Sequence, residues 1–127
     1  MTPDADLESA PWWDGLRAHR IVLQRCTACG RPRFPPMPRC PVCASAGWEG
    51  FESDGRGAIY SYVTAHQPVS PGYGGPFPYT VATVELVDGV RVLAQVEPAG
   101  AAGIGVEVGP FFVDHADWTE LRYRVIR

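Results

Sequence analysis

At 127 residues and a formal net charge of −3, the chain is sized for one compact domain with a small appendage. A chain of this length buries on the order of 65–70% of its unfolded surface, enough for one real core. No apolar run approaches the roughly 20 residues that cross a bilayer, and no charged n-region with an apolar h-region opens the sequence, which predicts a cytoplasmic protein.

Taken in chain order, residues 1–10 are small and polar and carry −3, a tail by composition. Pro11 suits a first helical turn and predicts a short helix over Trp12–His19. Trp12, Trp13 and Leu16 cannot all hide on so short a helix, so at least one tryptophan should rest on another unit or on a partner. Ile21–Arg25 reads as a strand leading into Cys26-Thr27-Ala28-Cys29-Gly30. The arm Arg31–Pro38 holds four prolines, which rules out helix and favours extended chain, and Cys40-Pro41-Val42-Cys43-Ala44 follows.

Cys26, Cys29, Cys40 and Cys43 are the only cysteines, spaced as two CxxC pairs. Two such turns close a thiolate tetrahedron around one zinc ion; the alternative is two disulfides, which an untargeted chain seldom uses. Four thiolates leave no open position for water or substrate, so the metal is expected to be structural. Residues 11–43 hold six arginines against Asp14, a local +5, whereas residues 44–127 sum to −5. A basic ribbon beside an acidic body is either a solvated face or a site for an anionic partner. All eleven basic residues are arginine, a bias that codon usage explains and that bidentate phosphate binding would also use.

After Cys43 the pattern is all-β. Trp48–Glu52 is a short strand, Gly55-Arg56-Gly57 a turn, and Ala58–His66 a longer strand rich in β-branched and aromatic residues. A Pro/Gly-rich loop spans Gln67–Pro78. Tyr79–Val87 and Val90–Val96 form a hairpin about Asp88-Gly89; a two-residue turn pairs Val84 with Leu93, Ala82 with Gln95, Val81 with Val96 and Thr83 with Ala94. Both faces of that hairpin are then fairly apolar, and something must cover the outside. Gly105–Asp114 and Leu121–Ile126 complete about five strands, an OB-like barrel. The fold class is therefore mainly β, with a helical unit at 1–20, a zinc ribbon at 21–47 and a barrel at 48–127.

No catalytic constellation is legible. The serines sit in no GxSxG elbow, there is no P-loop or dinucleotide fingerprint, and the cysteines are spent on metal. His66 and His115 are candidate bases, with loop or surface histidines as the plainer reading, which keeps a free-standing thioesterase or hydratase in view. A nucleic-acid module is the other class, but the barrel is net acidic and the pI is about 5.5.

The run Pro11-Trp12-Trp13-Asp14-Gly15-Leu16-Arg17, the two CxxC turns with Arg33-Phe34-Pro35-Pro36 between them, and Gly55-Arg56-Gly57-Ala58-Ile59-Tyr60-Ser61-Tyr62 resemble the DUF35 family. The resemblance covers roughly residues 11–126. It departs at His19, where the family usually has glycine, and at Ala44, after the last cysteine. It implies a helix, a rubredoxin-like ribbon and an OB-fold in a non-catalytic companion of acyl-CoA enzymes. The implied partner is a thiolase-fold subunit, foremost a lipid-transfer-type side-chain aldolase of steroid degradation, in a heterotetramer. Thiolases and MaoC-type hydratases are the alternatives, and the chain would share in an aldolase (lyase) or acyltransferase complex. Within that picture Arg31, Arg33 and Arg39 are candidates for CoA phosphates. Trp12, Trp13, Phe34, Tyr73 and Phe77 are candidates for partner contact, each with core packing as its alternative.

Overall fold

The computed structural model describes residue 3, residues 6–67 and residues 76–126. Asp6 and Ser9 exchange hydrogen bonds, Asp6 N–H to Ser9 Oγ (2.9 Å) and Ser9 N–H to Asp6 Oδ1 (2.7 Å), just ahead of helix α1, Ala10–Arg17. The helix stops two residues short of the sequence expectation because His19 takes a left-handed conformation (φ 58°). His19 N–H donates to the Leu16 carbonyl and Arg20 N–H to that of Gly15, the paired bonds of a Schellman end with histidine in the glycine position. Gly15 is required where it stands, since a Cβ there would lie 2.8 Å from Val22 Cγ2.

The chain continues into β1 (Ile21–Cys26), β2 (Pro32–Arg33) and β3 (Trp48–Ser53). These form an antiparallel sheet in the order β2-β1-β3, with β3 matched to β1 from Ile21↔Ser53 to Cys26↔Trp48. This corrects one expectation: the strand at Trp48 completes the ribbon sheet and does not open the barrel. The second cysteine turn returns the chain beside β1, whose remaining edge would otherwise lack hydrogen-bond partners.

The barrel comprises β4 (Gly57–Ala65), β5 (Tyr79–Leu86), β6 (Arg91–Glu97), β7 (Glu107–Asp114) and β8 (Thr119–Val125), with a 3₁₀ turn at Ala99–Ala101. It closes in the order β4-β5-β6-β8-β7, antiparallel except for β6 and β8, the five-stranded OB arrangement expected. Only the hairpin register differs. Val84 faces Val92, Ala82 faces Ala94 and Thr83 faces Leu93, a slip of one residue. The Leu86–Val90 pair closes a three-residue loop in which Gly89 (φ 96°) supplies the bulge position, in place of the two-residue turn. A one-residue slip exchanges the two faces. Val92, Ala94 and Val96 therefore enter the core, while Leu93 is 71% exposed on an outer face that it shares with Glu85, Arg91 and Gln95.

One apolar cluster runs through both units: Trp12, Leu16, Ile21 and Leu23 join Val84, Val92, Val96, Val108 and Tyr123. The junction is pinned at Gly55 (φ 75°), whose carbonyl accepts from the fully buried Tyr123 hydroxyl at 2.7 Å. Burial, with Asp54 and Asp88 near, holds that phenol well above its ordinary range, so it stays a donor. Ser53 Oγ accepts from Gly55 N–H (2.9 Å) and donates to Asp88.

Ala44 shares the left-handed conformation of His19 (φ 65°), with only a methyl group as side chain. Replacing a Cβ in that region with glycine relieves roughly 1–2 kcal/mol, less the chain entropy glycine adds. Ala44→Gly should therefore stabilise the zinc-loaded protein by about 1 kcal/mol and raise Tm by roughly 3–5 °C in thermal unfolding. His19→Gly should gain less, because it surrenders the His19 Nε2···Asp114 contact at 2.9 Å and the stack on Phe112.

Candidate metal centre

The two cysteine turns are built to one plan. Gly30 N–H donates to the Cys26 carbonyl and Cys26 N–H to that of Arg31; Ala44 N–H donates to the Cys40 carbonyl and Cys40 N–H to that of Ser45. Gly30 (φ 78°) and Ala44 occupy the same left-handed position. Each turn aims an amide at its leading sulfur, Cys29 N–H to Cys26 Sγ (3.5 Å) and Val42 N–H to Cys40 Sγ (3.4 Å). The four Sγ atoms lie within 4.8 Å of one another, with Cys26–Cys43 at 3.6 Å and Cys29–Cys40 at 3.7 Å. Those two separations match the ~3.8 Å edge of a tetrahedron with Zn–S bonds of about 2.3 Å, and exceed the ~2.05 Å of a disulfide. The four cysteines are free thiols, so the disulfide alternative falls.

The donor set fits zinc in chemistry as well as in shape: four soft sulfurs in a closed shell, which holds structure and offers no position for substrate. The amides of Cys29 and Ala28 bring the Cys26 thiol down to about 6 and those of Cys43 and Val42 lower Cys40. At Cys43 the Ser45 amide favours the thiolate, but Cys26, burial and the other sulfurs outweigh it and push the thiol up to about 11.

Of the two candidate bases, His66 is exposed just past the end of β4 and His115 is engaged. His115 Nε2 lies 2.9 Å from Glu120 and its ring stacks on Trp118; His19 is bound to Asp114. The hydrogen bonds of His19 and Thr119 hold the Asp114 carboxyl below its usual range.

Three of the five aromatic candidates converge. Trp12, 7% exposed, packs on Phe34 at 4.7 Å and edge-on to Trp13. Trp13 meets Trp118 at 6.1 Å. With Leu16, Leu93 and Leu121 these rings line an apolar groove of about 460 Å³. Trp118 and Leu93 were missed by sequence reasoning: Trp118 sits in a short polar turn, and Leu93 was assigned the wrong face. Phe77 packs on Tyr79 (5.5 Å) and does not line the groove, while Tyr73 lies outside the described residues.

The candidate arginines separate. Arg33 is 4% exposed, with Nε on Gln24 Oε1 (2.8 Å) and Nη2 on the Met37 carbonyl (3.1 Å). Arg31 and Arg33 line a common cavity, whereas Arg39 Nη1 braces the second cysteine turn at the Ala44 carbonyl (3.0 Å).

Residues 13–49 match the model described as "ChsH2, rubredoxin-like zinc ribbon domain" and residues 51–112 that described as "ChsH2, C-terminal OB-fold domain". The chain is 39% identical over 118 residues to a probable enoyl-CoA hydratase alpha subunit of Thermomonospora curvata, covering 93% of this chain and 35% of that protein. It is 37% identical over 121 residues to a 3-oxo-4,17-pregnadiene-20-carboxyl-CoA hydratase alpha subunit of Mycobacterium tuberculosis, covering 94% and 38%. The chain thus spans little more than a third of the length of these two relatives. Among solved structures, a chain of the "Ltp2-ChsH2(DUF35) aldolase" superposes with a TM-score of 0.88 at 33% identity, covering 99% of this chain and 100% of that one.

Purified protein should carry one zinc per chain, released by a thiol titrant with a chromogenic chelator. Cys40→Ser should weaken zinc by more than the roughly 10–100-fold typical of losing an outer-shell partner. Metal entry must displace the Cys43 proton, whereas Cys26, at about 6, is largely ionised at neutral pH. Apparent zinc affinity should therefore rise with pH between 6 and 9, with proton release visible by calorimetry in buffers of different ionisation enthalpy.

Proposed function

The chain belongs to the ChsH2 (DUF35) family, and on that premise we propose that it is a non-catalytic accessory subunit of an acyl-CoA enzyme. The partner we favour is a thiolase-fold subunit, a lipid-transfer-type aldolase that cleaves the side chain of a steroid-CoA ester. The superposition along the whole of both chains with a component of the Ltp2-ChsH2(DUF35) aldolase carries this reading. The closed thiolate shell and the carboxylate-bound His19 and His115 accord with a subunit that binds and orients while its partner supplies the reacting groups. A heterotetramer, two copies of this chain on a partner dimer, is the assembly proposed.

Within that assembly the groove of Trp13, Phe34, Leu93 and Trp118 faces the partner, since aromatic anchors dominate interface energetics. Phe77 and Tyr73 are proposed for a second contact. Arg31 is the better placed of the candidate arginines for a CoA phosphate, because its side chain makes no ion pair among the described residues, whereas Arg33 is buried and Arg39 is engaged within the ribbon. A second reading, partnership with a hot-dog enoyl-CoA hydratase, draws on the two hydratase alpha subunits among the relatives.

Co-expression with a tagged thiolase-fold subunit and, separately, with a hydratase subunit decides between them. The expected result is a 2:2 complex with the thiolase-fold protein on size exclusion and retro-aldol cleavage of a steroid-CoA ester only when both chains are present. A complex with the hydratase alone selects the second reading. An aldolase fully active without this chain would overturn the accessory role.

A further inference from the structure

We propose that the open edge of β6 pairs with an extended strand of the partner subunit, which carries an apolar side chain into the aromatic groove. Leu86 N–H donates to the Val90 carbonyl at 2.8 Å, so Leu86 and Val90 are a hydrogen-bonded pair. Alternation along an antiparallel ladder then makes Val84–Val92 and Ala82–Ala94 the next such pairs. Arg91 and Leu93 therefore turn their N–H and C=O groups away from β5. On that side lies β8, but its pairing with β6 begins only at Gln95↔Arg122. Among the described residues nothing else bonds these outward groups of Arg91 and Leu93.

The groove of about 460 Å³ runs along this edge. Arg91, Leu93, Ala94 and Gln95 all line it, although Ala94 belongs to the core and Leu93 stands 71% exposed on the outer face. Neighbours that point to opposite faces line one groove only where it follows the edge of their strand. Natural sheets guard such edges with charge, proline or a covering segment. Here Val92, Leu93 and Ala94 offer neither charge nor proline. The Arg91 guanidinium is drawn off toward β4 and β5, over the Tyr60 ring (3.7 Å) and onto Glu85 (3.0 Å). The ribbon arm reaches the groove at Phe34 and Pro35, and Pro35 and Pro36 have no N–H to give, so the chain's own arm cannot act as the missing strand.

A strand answers this site better than an acyl chain does. An acyl tail laid against Leu93 would strip water from the outward N–H and C=O and return no hydrogen bond. A strand returns both bonds and sets alternate side chains over the groove, where Trp13, Phe34 and Trp118 receive an apolar one. The inference deepens the accessory-subunit reading and rests on it for which protein owns the strand.

Amide hydrogen exchange, resolved residue by residue, tests this on the zinc-loaded chain, free and after capture by the tagged thiolase-fold or hydratase subunit. The Leu93 amide should exchange at least a hundredfold more slowly in the complex. Leu93→Pro deletes the outward N–H at a position where an edge strand tolerates proline. It should weaken capture roughly tenfold more than Leu93→Val, which keeps the N–H and an apolar side chain. Capture without slowing at Leu93, or equal capture of the two variants, would overturn strand pairing and leave the accessory role standing. Slowing of Leu93 by decanoyl-CoA alone would overturn it as well, since an acyl chain would then be the occupant. Capture by neither subunit would overturn both conclusions. If Leu93→Pro lowers zinc content or Tm, the exchange rate on the unaltered chain decides alone.

Discussion

Closure of four sulfurs on one point is the constraint from which the rest of the architecture follows. Residues 26–43 contain four of the chain's thirteen prolines between the cysteine turns and only the two-residue strand β2, so they have little capacity to order themselves. Drawing Cys26 to within 3.6 Å of Cys43 folds the arm back and delivers the chain to the free edge of β1, where β3 can form. From β3 the path leads directly through Gly55 to β4. Metal binding free energy, roughly 10–16 kcal/mol in zinc peptides, is thereby coupled to the sheet and to the junction beyond it.

That junction makes ribbon and barrel one body. Ile21 Cδ1 sits so close to Gly55 that a Cβ there would lie 2.2 Å away, and Tyr123 from the last strand bonds the Gly55 carbonyl. The seam therefore has fixed walls, a condition for binding without paying to order the site. The same closeness revises the meaning of the basic ribbon. A zinc tetrathiolate carries −2, so part of the local +5 offsets an internal charge. Arg33, buried and bonded to Gln24 and Met37, belongs to the ribbon's own structure first.

Much of this was legible from residues alone. Cysteine spacing gave the metal centre, and period-two patterning with turn residues gave the five barrel strands. What escaped depended on tertiary information. The helix end required knowing that His19 would be held in a left-handed conformation by Asp114 and Phe112, partners 95 and 93 positions away. The β5–β6 register turned on whether Asp88-Gly89 closes a two- or three-residue loop, a difference of one residue that inverted the faces and hid Leu93 from view. β3 was misplaced because its edge partner is chosen by the cysteine turns and not by its own composition. The arginine cluster showed charge but not which member would be buried, bracing or free.

Where function resides follows from what the fold leaves unsatisfied. The sulfurs have a full shell once metal enters, and His19 and His115 spend their carboxylate contacts on holding the β7–β8 end together. Tyr123 is locked as a structural donor. Among the described residues, unmet demands include Leu93, 71% exposed beside Trp13 and Trp118 in one apolar groove, and two buried donors without acceptors within the ribbon, Gln24 Nε2 and Arg33 Nη1. An isolated catalyst would concentrate such demands around a nucleophile or an open metal position. Here the open apolar side chains line a rigid groove, the feature on which the proposed accessory role rests.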